Sequence, residues 1–254
     1  MDSYSPSEIM VARAARELRN KEVVFVGIGL PNLACNLARR LQAHDLVLIY
    51  ESVAVGAVPS RLPLSIGDPC LVTDSISVCS MVEIFNYYLQ GGLIDVGFLG
   101  GAQVDRFGNI NSTVIGNYSR PKVRLPGSGG ACEIAIHAKK IIIIAKQNKR
   151  TFPQKIDFVT SPGFIDQDNQ RGKYNMPGTG PALVITNLGV YDFSGLTHEM
   201  ILREIHPGVS IEDIKANISW DIKISSNLIR TKLPTKKELS IIREELDPDK
   251  IHLS

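Results

Sequence analysis

The 254-residue sequence predicts an α/β fold: an open, mostly parallel sheet with helices on both faces, β-hairpins and a C-terminal helical extension. Apolar runs of strand length recur at residues 22–26, 46–50, 93–99 and 141–145, continuous rather than alternating, as in strands buried on both faces. Helix-like segments separate them, and glycine clusters stand at the junctions. Ligand sites of open α/β sheets lie where parallel strands end.

Ser5-Pro6-Ser7-Glu8 is a helix-start signature. Ser5 can cap, Pro6 suits the first helical position and Glu8 completes a capping box. Ile9, Val11, Ala12, Ala15 and Leu18 then supply an apolar face. The strand 22–26 ends in Gly27-Ile28-Gly29-Leu30-Pro31, and a helix follows through Leu41. Asn32 stands where the third glycine of a G-x-G-x-x-G dinucleotide fingerprint belongs. Gly27 and Gly29 therefore read either as close helix–strand packing or as secondary ligand-binding candidates.

The strand 46–50 delivers Glu51 to its C-terminal end, followed by Ser52. A carboxylate at the mouth of a buried strand is costly unless paired or functional. The residues alone leave a cap, an ion pair and a reacting group open. Residues 59–74 read as loop with a short strand near 70–73. Residues 80–90 read as a helix that buries Met81, Ile84, Phe85 and Tyr88.

The organising stretch is 93–146. Its strand breaks into Gly100-Gly101-Ala102-Gln103-Val104-Asp105, and 109–118 suits a hairpin. A second cluster, Gly127-Ser128-Gly129-Gly130, leads into the helix-like 131–136. Such glycines either bare backbone N–H groups to a phosphate or oxyanion, or only make tight turns. Further on, 166–181 reads as a surface loop, 182–186 and 190–193 as a hairpin, and 200–205 as a strand. Ser210 caps a short helix and 236–246 is helical. The whole, 1–254, reads as a single domain with 231–254 as the extension.

Hydrophobic residues are 44% and charged residues 21%, as in soluble globular proteins. A net charge of +2 points to neither nucleic acid nor a membrane surface. Four cysteines without a C-x-x-C pair argue against a disulfide framework or zinc site and fit the reducing cytoplasm. No signal peptide is expected in the polar residues 1–8, and no apolar run approaches 18 residues. Five histidines lack ligand spacing, so no metal is expected.

Gly-Gly-Ala-Gln-Val-Asp-x-Phe-Gly-Asn-Ile-Asn-Ser-Thr from Gly100, then Gly-Ser-Gly-Gly-Ala from Gly127, resembles the B (β) subunit of the class I coenzyme A transferases, the glutaconate type above all. Asp157-Phe-Val-Thr-Ser-Pro-Gly and Gly27-Ile-Gly-Leu-Pro extend the resemblance over most of the chain. It implies that Glu51 is the nucleophile of a glutamyl-CoA thioester. It also implies that Gly100, Gly101, Gln103, Gly129 and Gly130 belong to the oxyanion and CoA-binding site. Lys122 and Arg124 either meet a CoA phosphate or solvate the surface. CoA enters as a thioester substrate and no cofactor is implied. The partner implied is the transferase's α subunit, in an α2β2 heterotetramer. The family usually carries glycine two residues after the glutamate, and Val53 stands there, leaving the acyl group and reaction type open. The fold is shared by a steroid ring-opening hydrolase and a methylglutaconyl-CoA decarboxylase. A CoA-thioester hydrolase or decarboxylase is thus one alternative, and a non-catalytic ligand-sensing subunit another. Glu51 favours transfer.

Overall fold

The computed structural model describes residues 3–52 and 54–253. The chain divides into two compact units, Met1–Phe98 with Lys232–Ser254, and Leu99–Thr231.

In the first unit α1 (Pro6–Ala15) begins with the expected capping box. The Ser5 hydroxyl accepts from the Glu8 N–H at 3.2 Å, and the Glu8 carboxylate accepts from the Ser5 N–H at 2.6 Å. The elements β1 (Val23–Phe25), α2 (Leu30–Leu41) and β2 (Val47–Ile49) form a parallel β–α–β unit, with Phe25 opposite Ile49. β3 (Ala54–Val55) and β4 (Ser77–Val78) add antiparallel strands beyond β2. A short helix, α3 (Met81–Glu83), precedes β5 (Val96–Leu99), which pairs parallel with β1. The strand order in this unit is β5-β1-β2-β3-β4. Val24, Phe25, Leu48 and Ile49 are all buried, which explains their continuous apolar run.

Two local expectations fail here. Residues 70–73 are not a strand but lie in a 3-10 turn, Pro69–Val72, and its cap. Asp68 sets that turn: its carboxylate accepts from the Cys70 N–H at 3.1 Å and the Leu64 N–H at 3.0 Å, and pairs with Arg61 at 2.7 Å. Pro69 has no N–H to give a ladder. The segment 80–90 starts from a Ser80–Glu83 capping box, but α3 widens into a π-helical stretch, Ile84–Leu89. The i→i+5 spacing aligns Ile84 with Leu89, and these are buried while Met81 is 54% exposed. Phe85 still reaches inward, its ring 5.6 Å from that of Phe25.

The second unit opens with two small antiparallel pairs, β6 (Gln103–Val104) with β7 (Ile110–Asn111), and β8 (Val114–Asn117) with β9 (Arg120–Arg124). Then follow α4 (Ala131–His137), β10 (Lys140–Ile144), β11 (Pro181–Ile185), β12 (Gly189–Asp192), β13 (Ile201–Ile205), α5 (Ile211–Ala216) and β14 (Lys223–Arg230). The sheet order is β14-β13-β12-β11-β10. β10–β11 and β13–β14 pair parallel, and the two pairs between them antiparallel. The expected hairpin at 182–193 is β11–β12. The loop 166–181 has a core of its own. Arg171 is 3% exposed, and its guanidinium donates to the carbonyls of Pro162, Gly163, Gly178, Ala135 and Ile136 at 3.0–3.3 Å. Burial pushes its pKa down to about 10, so the group is still a cation at neutral pH.

The C-terminal helical segment belongs to the first unit. α6 (Lys236–Ser240) carries a Thr235–Glu238 capping box and runs on as a π-helical stretch, Ile241–Leu246. Arg16 holds Glu238 at 2.7 Å, Arg243 holds Glu8 at 2.5 Å and Arg40 holds Glu245 at 3.0 Å, fastening the segment to α1 and α2. No helix among the described residues is long and apolar enough to cross a membrane.

Candidate active site

β2 ends at Ile49, and Glu51 sits half-buried in the turn that follows. The turn is tight: the Tyr50 N–H donates to the Ala54 carbonyl at 3.1 Å. Below it the Tyr50 side chain is fully buried, and its hydroxyl donates to Asn32 Oδ1 at 2.8 Å. Asn36 Nδ2 reaches the same oxygen at 3.0 Å. Burial pushes the Tyr50 phenol up, keeping it a neutral donor. The position of Glu51 is thus anchored to the first turn of α2. A strand, β3, follows it, so Glu51 caps no helix, and among the described residues its carboxylate meets no cation or hydrogen-bond donor. Two buried polar atoms also lack partners among the described residues, Ser52 Oγ beside Glu51 in sequence and Nδ2 of Asn32, the residue that holds Tyr50. Val53 lies outside the described residues.

Gly27 and Gly29 close β1 and open α2. Gly29 is the helix N-cap with φ +93°, a left-handed backbone that explains glycine. Gly27 has no such reason: a Cβ there would have open space within 4 Å.

In the second unit the Gly100–Gly101 turn packs closely. A Cβ on Gly101 would sit 2.3 Å from the Ile110 methyl and 3.0 Å from the Asn111 carbonyl oxygen; one on Gly100 would sit 3.0 Å from the Ile144 carbonyl oxygen. Gln103 is buried and fully engaged. Its Oε1 accepts from Asn111 Nδ2 at 2.6 Å and the Asp157 N–H at 2.9 Å, while Nε2 donates to Asp157 Oδ2 at 2.9 Å. Asn111 also donates to the Val114 carbonyl at 2.7 Å, and Asp157 accepts from the Gly116 N–H at 3.1 Å. Two hydrogen bonds join Ser112 and Gly127: the Gly127 N–H donates to the Ser112 carbonyl at 2.8 Å, and Ser112 Oγ donates to the Gly127 carbonyl at 2.9 Å. The Ser112 N–H donates to Thr160 Oγ1 at 2.9 Å. This clasp joins the glycine turn, the base of the β8–β9 hairpin and the Gly127 loop. In that loop Gly129 is exposed with φ +48°, and Gly130 is buried as the N-cap of α4. The motif spells out Asn111, Ser112 and Asp157, but their bracing role depends on partners up to 54 residues apart.

Two hollows lie elsewhere, of about 650 Å³ beside Glu8 and Arg243 and about 270 Å³ beside Arg61 and Asp247; neither is lined by a candidate residue. No cluster of three or more metal-ligating side chains occurs among the described residues.

Comparison with known proteins gives the class: the chain belongs to the coenzyme A transferase family, matched over residues 7–217. It is 51% identical over 243 residues to the B subunit of 3-oxoadipate CoA-transferase from Pseudomonas knackmussii, covering 96% of this chain and 94% of that protein. It is 37% identical over 251 residues to the B subunit of glutaconate CoA-transferase from Acidaminococcus fermentans, covering 97% and 94%. The crystal structure of glutaconate coenzyme A-transferase from that organism superposes with a TM-score of 0.92 at 36% identity, over 99% of this chain and 98% of that one.

Proposed function

We propose that the chain is the β subunit of a two-subunit CoA-transferase that moves CoA between an acyl-CoA and a free carboxylate, with Glu51 as the nucleophile. The observation that carries this reading is a half-buried carboxylate, anchored through Tyr50, that has no structural partner among the described residues.

The Glu51 carboxylate attacks the thioester carbonyl, giving a mixed anhydride and CoA thiolate. The thiolate attacks the glutamyl carbonyl and expels the acyl group as its carboxylate, leaving a glutamyl-CoA thioester. The acceptor carboxylate then runs the sequence in reverse. Both tetrahedral intermediates carry an oxyanion, and losing one donor to such a group costs about 100- to 1000-fold in rate. The backbone of Gly100 and Gly101 supplies these donors, and Gly129 and Gly130 contribute to holding CoA. Gln103 acts through the clasp, since its own amide is engaged. Gly27 and Ser52 are secondary contacts: Gly27 leaves open space and Ser52 offers an unpartnered hydroxyl.

The relatives are named for transferases of 3-oxoadipate and glutaconate, both dicarboxylates, so a dicarboxylic acyl group is the first to try. The same names specify one subunit of a larger enzyme, and an α subunit completes it as an α2β2 heterotetramer in the cytoplasm. Exposed apolar residues in the first unit, Ile76, Val78, Met81, Val82 and Tyr87, suit a covered surface.

The test is isotope exchange. The co-expressed pair, given 3-oxoadipyl-CoA or glutaconyl-CoA with the labelled free acid, should move label into the acyl-CoA. Release of free CoA to water without exchange would support a hydrolase instead.

A further inference from the structure

Helix α2 carries two asparagines, Asn32 and Asn36, spaced i, i+4 and so on one helical face. Both are buried, at 0% and 4% exposure, and so is Tyr50 at 0%. The three form a compact polar network. Asn32 Oδ1 accepts from the Tyr50 hydroxyl at 2.8 Å and from Asn36 Nδ2 at 3.0 Å, and Asn36 Nδ2 also donates to the Asn32 carbonyl at 3.0 Å. Two donors converging on one oxygen fix which way the Asn32 amide faces. Neither asparagine has a part in the reaction described above.

As packing alone the network is a poor solution. Asparagine is a weak helix former, because its side chain competes for backbone groups. Asn32 Nδ2 is buried with no partner among the described residues, a cost that an apolar side chain does not carry. Hydrogen bonds add direction to packing, and a buried network holds one arrangement. Here the direction bears on Glu51. The carboxylate hangs from the residue next to Tyr50, so any slip or rotation of Tyr50 carries Glu51 with it. α2 also holds the returning arm of the same turn: Arg39 Nη1 donates to the Ala57 carbonyl at 2.8 Å, just past β3. Between the arms, the Tyr50 N–H donates to the Ala54 carbonyl at 3.1 Å and the Gly56 N–H to the Leu48 carbonyl at 2.7 Å. One helix therefore grips both sides of the turn that bears the carboxylate.

We propose that Asn32 and Asn36 are positioning residues for the Glu51 nucleophile, acting through the Tyr50 hydroxyl. This rests on the transferase reading above. Attack on a thioester carbonyl needs the carboxylate oxygen aligned at about 3–3.5 Å from the carbon, and a misplacement of about 1 Å costs about 100-fold in rate. The network sets the strand end before substrate arrives. Its part lies in the step at which Glu51 reacts, and not in the binding of CoA. A network that serves only the core would change stability and leave that step alone, and the experiment separates the two.

The experiment uses the assembled two-subunit complex with Tyr50→Phe, which removes the hydroxyl and keeps the ring, with Asn36→Ala at the far end of the network, and with both. Saturating acyl-CoA without acceptor is quenched into borohydride at successive times, and the alcohol at residue 51 is quantified by mass spectrometry. In Tyr50→Phe the adduct should form about tenfold more slowly, part of the loss for a full ångström. In steady-state transfer kcat should fall while KM for acyl-CoA stays within about twofold. Asn36→Ala should act in the same direction. The double variant should be no slower than the slower single one, because both act through the same bonds. Equal adduct rates in wild type and Tyr50→Phe overturn the proposal, as does a loss confined to KM or two losses that multiply in the double variant. Failure of both single variants to assemble also overturns it, making the network a core element only. A wild-type complex that forms no adduct overturns the transferase reading itself.

Discussion

Gly27 and Gly101 both follow a strand end, and the space around them differs. An alanine methyl at Gly101 would be driven 2.3 Å from Ile110. Gly101→Ala is therefore expected to destabilise by about 1–3 kcal/mol, as overpacking does, lowering the melting temperature by several degrees. This close packing accounts for glycine at the position and leaves its N–H free to serve as the proposed donor, and Gly101→Val should be worse. Gly27→Ala meets nothing within 4 Å, so thermal melting should match wild type to within about 1 °C while kcat/KM for acyl-CoA falls. Unchanged kinetics would make Gly27 incidental. Arg171 shows what residue types alone conceal. In a Gly-, Pro- and Asn-rich loop it reads as a solvated charge, but five carbonyls converge on it. Its burial came from the chain folding back around it, which local composition does not encode.

The C-terminal helical segment is held to α1 by charge, and this gives it a pH dependence. Burial pushes the Glu238 carboxyl up, but Arg16 and the Thr235 cap outweigh burial and hold it below its ordinary range. Glu8 behaves likewise, burial opposed by Arg243 and Ser5. For a carboxyl depressed in the folded state, the stabilisation is complete above the unfolded value near 4.5 and is lost as pH falls through the folded value. Amide exchange in 236–246 should thus accelerate below about pH 4.5, relative to β1 and β2 and after correction for intrinsic exchange rates. Uniform exposure of the whole first unit at one pH would contradict it. Elements with a strong local signal were legible in the sequence: the capped α1 and α5, the parallel strands β1, β2, β5 and β10, and the β11–β12 hairpin. Those set by partners were not. β14 is a polar edge strand, Lys-Ile-Ser-Ser-Asn-Leu-Ile-Arg, with one neighbour in its sheet. The π-helical register of 84–89 moved the buried stripe away from Met81, a shift that a 3.6-residue period does not anticipate.

At the scale of the molecule, the expectation is that the chain does not work alone. Ile76 is 75% exposed and Val82 63%, within a run of exposed apolar residues that water is a poor partner for. Expressed by itself the chain should show no CoA transfer and should self-associate at micromolar concentration, as read by sedimentation. Co-expression with the α subunit should restore both activity and a defined mass. Robust transfer by the isolated chain would contradict the partnership. The strand end before Glu51 and the turns at the glycine clusters were readable as local structure. The clasp was not, because nothing local tells that Gln103 meets Asp157 or that Ser112 meets Gly127.

The central claim is covalent chemistry at Glu51, and trapping the intermediate tests it most directly. The assembled complex is incubated with acyl-CoA and no acceptor, treated with borohydride, digested and analysed by mass spectrometry. The expected product is the alcohol at residue 51, formed by reduction of a glutamyl thioester. In Glu51→Gln that product should vanish with the fold retained, since the amide is nearly isosteric, and Glu51→Asp should be strongly impaired because the carboxylate is drawn back by about one C–C bond, ~1.5 Å. A Glu51→Gln complex that transfers CoA at the wild-type rate, or an active complex that traps nothing at residue 51, would contradict it.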